Sequence, residues 1–287
     1  KVLSDRLGAI HTVVFGGYAA EQLTQRIDHC KPRLIIAASC GLEPNRTIPY
    51  KPILDAAVRA AKFRPLASII FQREVGPTCQ MGEGLDFFWH ELMSHAVPHD
   101  IVPVDSNHPL YILYTSGTTG NPKGLIRDSA GYCVALQYSL EKLWRLSPGD
   151  RVWAATDIGW VVGHSYVVYG PLLSGLTSVM YEGKPVGTPD ANAYWRVISE
   201  NKVDVFFTAP TALRQMKIED PEASLPKRAD LEHLRSVWLA GEHAEPSIIE
   251  WVSGGLNNNI PVIDHWWQTE SGWPMTATPI GLDDTIQ

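Results

Sequence analysis

Apolar residues along this chain gather in short runs, each followed by a polar turn and then by a stretch with helical spacing. Residues 11–15 (HTVVF) read as a buried strand that Gly16 and Gly17 end. Residues 21–29 then have helical composition, with Leu23 and Ile27 at i,i+4 on one face. Residues 34–38 (LIIAA) form the next strand, 53–61 the next helix and 66–72 a further strand. That alternation is the pattern of a parallel, doubly wound sheet. Between 73 and 105 the pattern weakens, broken by Gly76-Pro77, Gly82-Glu83-Gly84 and Pro98. A seam at 100–107 divides the chain into a first α/β subdomain, 1–105, and a second, 106–287. Beyond it, strands are expected at 110–115, 151–155, 177–181, 205–208, 236–240 and 262–264. Helices are expected at 130–143, 164–173 and 191–201. The fold class is α/β, with doubly wound sheets flanked by helices.

Composition narrows the classes of function. The 287 residues are 45% hydrophobic and 19% charged, as expected of a globular chain able to bury a core. Its 21 prolines and 23 glycines are spread along the length and suggest many tight connections. The net charge of −7 argues against a phosphate-tracking nucleic-acid binder, which would carry a basic stripe. No apolar run approaches the ~20 residues that span a bilayer. Cysteines at 30, 40, 79 and 133 have no CxxC spacing, so neither a zinc ribbon nor a disulfide framework is expected. His90-Glu91-Leu92-Met93-Ser94-His95 is not a zincin helix, because HExxH needs histidine where Ser94 stands. No G-x-S-x-G elbow occurs either. The chain opens on Lys1 with no signal-like segment after it, so its start is expected to lie inside a longer protein.

The densest candidate chemistry is Tyr114-Thr115-Ser116-Gly117-Thr118-Thr119-Gly120-Asn121-Pro122-Lys123-Gly124, directly after an apolar strand. Glycines let backbone N–H groups approach phosphate oxygens, hydroxyls add donors and magnesium ligands, and Lys123 adds a compact positive charge. It is not a Walker A loop, since Lys123 follows proline and precedes Gly124. Taken alone, the composition fits either phosphate contact or an ordinary polar loop.

The string resembles the signature loop of the adenylate-forming enzymes, which include acyl-CoA synthetases, luciferases and peptide-synthetase adenylation domains. Three further blocks follow in that family's order: Asp157-Ile158-Gly159-Trp160-Val161-Val162-Gly163-His164-Ser165-Tyr166, Leu239-Ala240-Gly241-Glu242-His243 and Asp264-His265-Trp266-Trp267-Gln268-Thr269-Glu270. The segments 10–17, 169–189 and 208–212 resemble the short-chain acyl-CoA synthetases, and most closely their propionyl-CoA-synthetase-like subgroup. The resemblance covers essentially the whole chain.

It implies the N-terminal domain of an adenylate-forming enzyme, without the C-terminal domain, whose aspartate block, hinge and catalytic lysine are absent here. It implies ATP, Mg²⁺ and coenzyme A. It places Thr115, Ser116, Gly117, Thr118, Thr119, Gly120 and Lys123 over the β- and γ-phosphates of ATP. It places Gly241, Glu242, His243, Asp264, His265, Trp266, Trp267 and Gln268 around the nucleotide. Thr269 falls beside the α-phosphate and Glu270 on the magnesium, the two catalytic positions. It lines the acid pocket with Trp160, Val161, Val162, Ala240 and Trp267, and brings Gly17, Arg46 and Ala209 near coenzyme A. Acetyl-CoA synthetases carry proline where this chain has His243, and an arginine where it has Glu43.

The implied partners are small molecules only: a short-chain acid, ATP and coenzyme A, with no nucleic acid and no membrane insertion. The subgroup suggests the mitochondrial matrix, or the cytoplasm of a bacterium, and leaves the oligomeric state open. Acetyl-CoA synthetases typically have valine at Ala240 and threonine at Val162. The smaller Ala240 frees room for one more methylene, worth about 1–3 kcal/mol, so propionate, with butyrate or isobutyrate as alternatives, is expected over acetate. The rival readings are a nucleotide-binding fragment without turnover and another adenylate-forming ligase such as acetyl-CoA synthetase.

Overall fold

Most of those apolar runs become strands, in a computed structural model that describes residues 1–44, 46–115 and 122–280. The first part runs α1 (Val2–Arg6), α2 (Ala20–Cys30), β1 (Leu34–Ala38), β2 (Cys40–Glu43), β3 (Arg46–Pro49), α3 (Tyr50–Ala60), β4 (Ala67–Phe71), β5 (Asp86–Phe88) and α4 (Trp89–Ser94). It continues with β6 (Pro109–Thr115), β7 (Lys123–Asp128), α5 (Ala130–Tyr138) leading into a π-helical turn (Ser139–Leu143), and β8 (Arg151–Ala154). A π-helical segment (Gly163–Tyr169) runs into α6 (Gly170–Leu173), then β9 (Thr177–Ser178), α7 (Ala193–Glu200), β10 (Val205–Thr208) and α8 (Pro210–Glu219). The last elements are α9 (Ser224–Arg228), β11 (Ser236–Leu239), α10 (Pro246–Gly255) and β12 (Val262–Asp264).

The main sheet has five parallel strands in the order β12-β11-β10-β8-β9. Both of its faces are covered, which explains why β10 and β11 are buried at every position. Alternation sends neighbouring residues to opposite sides. Phe207, Trp238 and Ile263 are in register and pack on one side with Leu136 of α5 and Tyr166 of the π segment. Phe206 and Val237 pack on the other side with Trp195 of α7, Leu213 of α8 and Val252 of α10. Each such side chain contributes roughly 1.5–3 kcal/mol by leaving water.

A second, three-stranded parallel sheet has the order β1-β4-β5 and packs Ile35 against Ile27 of α2 and Ala57 of α3. On its opposite face Leu34, Ile36, Phe71 and Phe87 are exposed among the described residues. Two antiparallel hairpins, β2/β3 and β6/β7, complete the strands.

Three expectations are corrected. Residues 12–15 form no strand: His11 alone makes a bridge, to Tyr111, while Phe15 packs on Trp160 and Tyr18. The strand at 177–181 shortens to Thr177–Ser178, because Tyr181 turns into an aromatic cluster with Trp153 and Tyr194. The weakly patterned stretch at 73–105 holds a third sheet strand, β5, and the short helix α4.

Candidate active site

Chain order decides where a cleft can open. After β8 the chain goes to β9 at one edge, and after β10 it goes to β11 and β12 at the other. The crevice at the carboxyl ends of β8 and β10 is therefore the switch point where open α/β sheets take ligands. Four loops leave that edge, after β8, β10, β11 and β12, and three of them carry the sequence blocks at 157–166, 239–243 and 264–270.

The loop after β11 begins with Ala240, whose N–H donates to the Thr208 carbonyl at 3.3 Å. Ala240, Val161 and Trp267 lie in one buried cluster, with Val162 packed against it. The indole Nε1 of Trp267 is buried there without a hydrogen-bond partner among the described residues, as is the hydroxyl of Thr208 at the end of β10. Such groups cost about 1–3 kcal/mol unless water or a ligand meets them. Gly241 follows with φ +104°, a conformation that side chains disfavour, and open space where a Cβ would stand. Glu242 accepts a hydrogen bond from the Thr211 hydroxyl, which holds its carboxyl below the usual range, and Arg214 at 3.6 Å adds to that effect. Asp264, at the end of β12, ties the loop down: one carboxylate oxygen takes the Ala244 N–H at 3.0 Å and meets His243 Nδ1 at 3.1 Å. His243 itself is exposed.

After β12 the aromatic residues part company. His265 is buried among Trp238, Phe207 and Trp267, and its Nδ1 lies 2.6 Å from the Leu239 carbonyl. Burial pushes its imidazole down to about 4, so it is a neutral core histidine donating from Nδ1. Its side chain is therefore withdrawn from any nucleotide, a correction to the expectation for this position. Trp266 is half exposed and bridges to Thr276, with backbone bonds of 2.9 and 3.1 Å. Gln268 to Gly272 form a tight turn closed on the Gln268 carbonyl.

Two anchors hold this turn: Arg127, which sequence reasoning did not name, and Ser165, which lies in the block at 157–166 but was given no role. Arg127 on β7 donates one Nη2 to the carbonyls of Thr269 and, at 2.7 Å, Glu270. Ser165 donates to the Gly272 carbonyl at 2.6 Å and pairs with the Tyr132 hydroxyl at 2.6 Å. Arg127 left no distinct signal in the sequence, since the strand KGLIRD also carries Lys123 and Asp128.

The remaining candidates scatter. Trp160 is not part of the buried cluster: it is 44% exposed and packs against Phe15, with the two rings tilted and their centroids 5.5 Å apart. Thr115 and Lys123 pair across the root of the β6/β7 hairpin, while Ser116, Gly117, Thr118, Thr119 and Gly120 lie outside the described residues. Gly17 sits in an exposed turn beside the Phe15 ring, and Arg46 is opposite Glu43 in the β2/β3 hairpin. Glu43 lies 3.5 Å from Lys184. Ala209 caps α8 at the edge of the main sheet, on a separate element from Gly17 and Arg46.

A family model described as AMP-binding enzyme matches residues 5–286. The chain belongs to the AMP-binding enzyme family. Acyl-CoA synthetase short-chain family member 3, mitochondrial, from Mus musculus is 49% identical over 280 residues, which is 98% of this chain and 41% of the relative. Propionate–CoA ligase from Escherichia coli (strain K12) is 43% identical over 282 residues, 97% of this chain and 44% of the relative. The solved structure of acetoacetyl-CoA synthetase from Streptomyces lividans matches with a TM-score of 0.84 over 96% of this chain and 42% of that one. At 21% identity, that match concerns the fold alone. The chain thus spans less than half the length of these relatives.

The edge loops of this AMP-binding chain suit a nucleotide in two respects. Among the described residues nothing fills the space beside Gly241, a side-chain-free backbone flank against which a flat ring can lie. Glu270 is a single exposed carboxylate, and among the described residues no group of three or more His, Cys, Asp or Glu side chains could hold a metal. Magnesium bound with substrate phosphates needs only one or two protein carboxylates. The site therefore fits an ion arriving with a nucleotide better than a resident metal. No helix among the described residues is long and apolar enough to cross a membrane.

Proposed function

We propose that this chain carries the ATP and acid sites of an AMP-forming acyl-CoA synthetase that prefers propionate. The observation that carries the reading is the shared buried cluster of Ala240, Val161 and Trp267, with an unpartnered indole N–H. From that cluster the chain runs directly into the 241–244 loop that Asp264 anchors, and into the 268–272 turn that carries Thr269 and Glu270. A short acyl chain fits among the apolar groups while its carboxylate stays at the strand ends from which these segments leave.

The acid's carboxylate oxygen attacks the α-phosphorus of ATP, forming acyl-AMP and expelling pyrophosphate. The thiol of coenzyme A then attacks the acyl carbon, giving the thioester and releasing AMP. Little covalent chemistry is asked of side chains, so orientation and charge stabilisation carry the rate. Asp264 fixes the 241–244 loop, Thr269 lies beside the reacting phosphate, and Trp267 closes the acid pocket against longer chains. Magnesium, held with the phosphates by Glu270, would neutralise charge on the transferred group. The hydroxyls and Lys123 of the 115–123 hairpin loop grip the β- and γ-phosphates, and Gly17, Arg46 and Ala209 face coenzyme A. The name of the murine relative favours the mitochondrial matrix, and that of the bacterial relative leaves a cytoplasmic home as the alternative.

The test is ATP–pyrophosphate exchange by the complete gene product across acetate, propionate, butyrate and isobutyrate. Propionate should give the highest kcat/KM, and an acetate optimum would overturn the preference. Absence of exchange with every short acid would overturn the synthetase reading.

A further inference from the structure

We infer that Arg127 is a positioning residue for the metal- and phosphate-facing turn, an inference that rests on the synthetase reading above. Its Nη2 donates to two consecutive carbonyls, those of Thr269 and Glu270. Two peptide planes held by one nitrogen fix the directions in which the Thr269 and Glu270 side chains leave the backbone. Gly272, at φ +77°, makes room for this contact, since a Cβ there would stand 2.9 Å from Nη2. The Arg127 guanidinium carbon also lies over the Tyr132 ring, 5.8 Å from its centroid. Among the described residues no carboxylate forms an ion pair with Arg127, so its charge is directed at the turn's carbonyls.

The location gives the contact its consequence. Arg127 lies on β7, the strand that begins at Lys123 and pairs with Thr115 through the root of the hydroxyl-rich hairpin. One side chain therefore ties the strand leaving that hairpin to the turn carrying Thr269 and Glu270, 142 and 143 residues further along the chain. Metal-site groups oriented by such supporting bonds typically lose about 10–100-fold in affinity or activity when the support is removed.

The experiment compares wild type, Arg127→Met and Arg127→Lys in the complete gene product. Calorimetry with a non-hydrolysable ATP analogue gives the magnesium concentration for half-maximal binding, and pyrophosphate exchange gives kcat and KM for the acid. Arg127→Met should raise the magnesium requirement by roughly tenfold or more and lower kcat by a similar factor, leaving KM for the acid near its wild-type value. Arg127→Lys keeps the charge without the planar fork and should fall between the two. It carries the test if Arg127→Met does not fold. An unchanged magnesium requirement in a folded variant overturns the inference, even if the melting temperature falls. Wild type that binds the magnesium–nucleotide complex but exchanges with no short acid overturns the synthetase reading instead, and the binding comparison still decides the role of Arg127. Wild type without magnesium-dependent nucleotide binding overturns both.

Discussion

Replacing Ala240 by valine asks whether this position faces a substrate pocket or a filled core. Ala240 is 5% exposed and shares its cluster with Val161 and Trp267, so two added carbons must go either into ligand space or into packed protein. In ligand space they occupy the volume of propionate's extra methylene. The preference for propionate over acetate should then drop by about 10–200-fold in kcat/KM, the equivalent of roughly 1–3 kcal/mol. Folding stability should change little. In a filled core the same carbons force neighbours off their rotamers and cost about 1–3 kcal/mol of stability. The acid preference would then be untouched. Pyrophosphate exchange with both acids and urea denaturation of the same preparations separate the cases. A destabilised Ala240→Val protein with an unchanged propionate-to-acetate ratio refutes the pocket assignment.

Three further outcomes follow from the same geometry. Gly163→Ala would press its Cβ onto the Asp157 carbonyl oxygen and the Ile158 Cα, which are backbone atoms that cannot swing aside, so a loss of about 3 kcal/mol or more is expected by denaturant titration. Asp264→Ala removes the acceptor for the Ala244 N–H and His243, at about 1.5–3 kcal/mol for bonds to a charged group. Nucleotide affinity measured by calorimetry should fall with it, and wild-type affinity would detach Asp264 from the site. The buried histidines predict acid sensitivity: burial lowers His164 to about 3 and His265 to about 4, both under the unfolded value near 6.5. Between those limits the unfolded chain binds protons that the folded one refuses, so each histidine lowers stability by about 1.4 kcal/mol per pH unit as pH falls below about 6.5. His265→Asn, whose amide can still donate to the Leu239 carbonyl, should reduce the slope of stability against pH by about one proton between pH 5 and 6. An unchanged slope would mean that His265 is charged in the fold.

Strands buried on both faces were legible because they must be apolar throughout. The runs at 205–208 and 236–240 coincide with β10 and β11, which are buried at every position, while the run at 34–38 marks β1 by apolarity alone, since one face of that strand is exposed. The run at 11–15 misleads because hydrophobicity reports burial, not whether a partner strand lies alongside. Phe15 satisfies its share by packing on Trp160, with no ladder beyond His11. The β2/β3 hairpin was invisible for the opposite reason: Gly41, Glu43, Arg46 and Thr47 present no apolar stripe, although the pairing runs from Cys40↔Pro49 to Glu43↔Arg46.

The acid-pocket block divides along the same physical line. Ala240, Val161 and Trp267 were grouped by the family resemblance, not by their apolar character, and they share one buried cluster. Trp160 and Val161 are adjacent and similar in apolar character, yet Val161 is buried in that cluster while Trp160 is drawn outward by Phe15. Composition gives no ground for telling the two apart.

Asp264 was named from the family resemblance, but its grip on the Ala244 N–H was not legible, and neither was Arg127's hold on Thr269 and Glu270. In each case a charged side chain meets a backbone group. Every residue offers the same carbonyl and nearly every residue the same N–H, so such a bond leaves no mark on the identity of its partner. Side-chain-to-side-chain complementarity constrains both positions and can be read from both. A charge on a backbone group constrains only one, and the fold alone selects the other. The residues that orient a site built from turns are for that reason the last to be found from sequence, and Arg127 is of that kind.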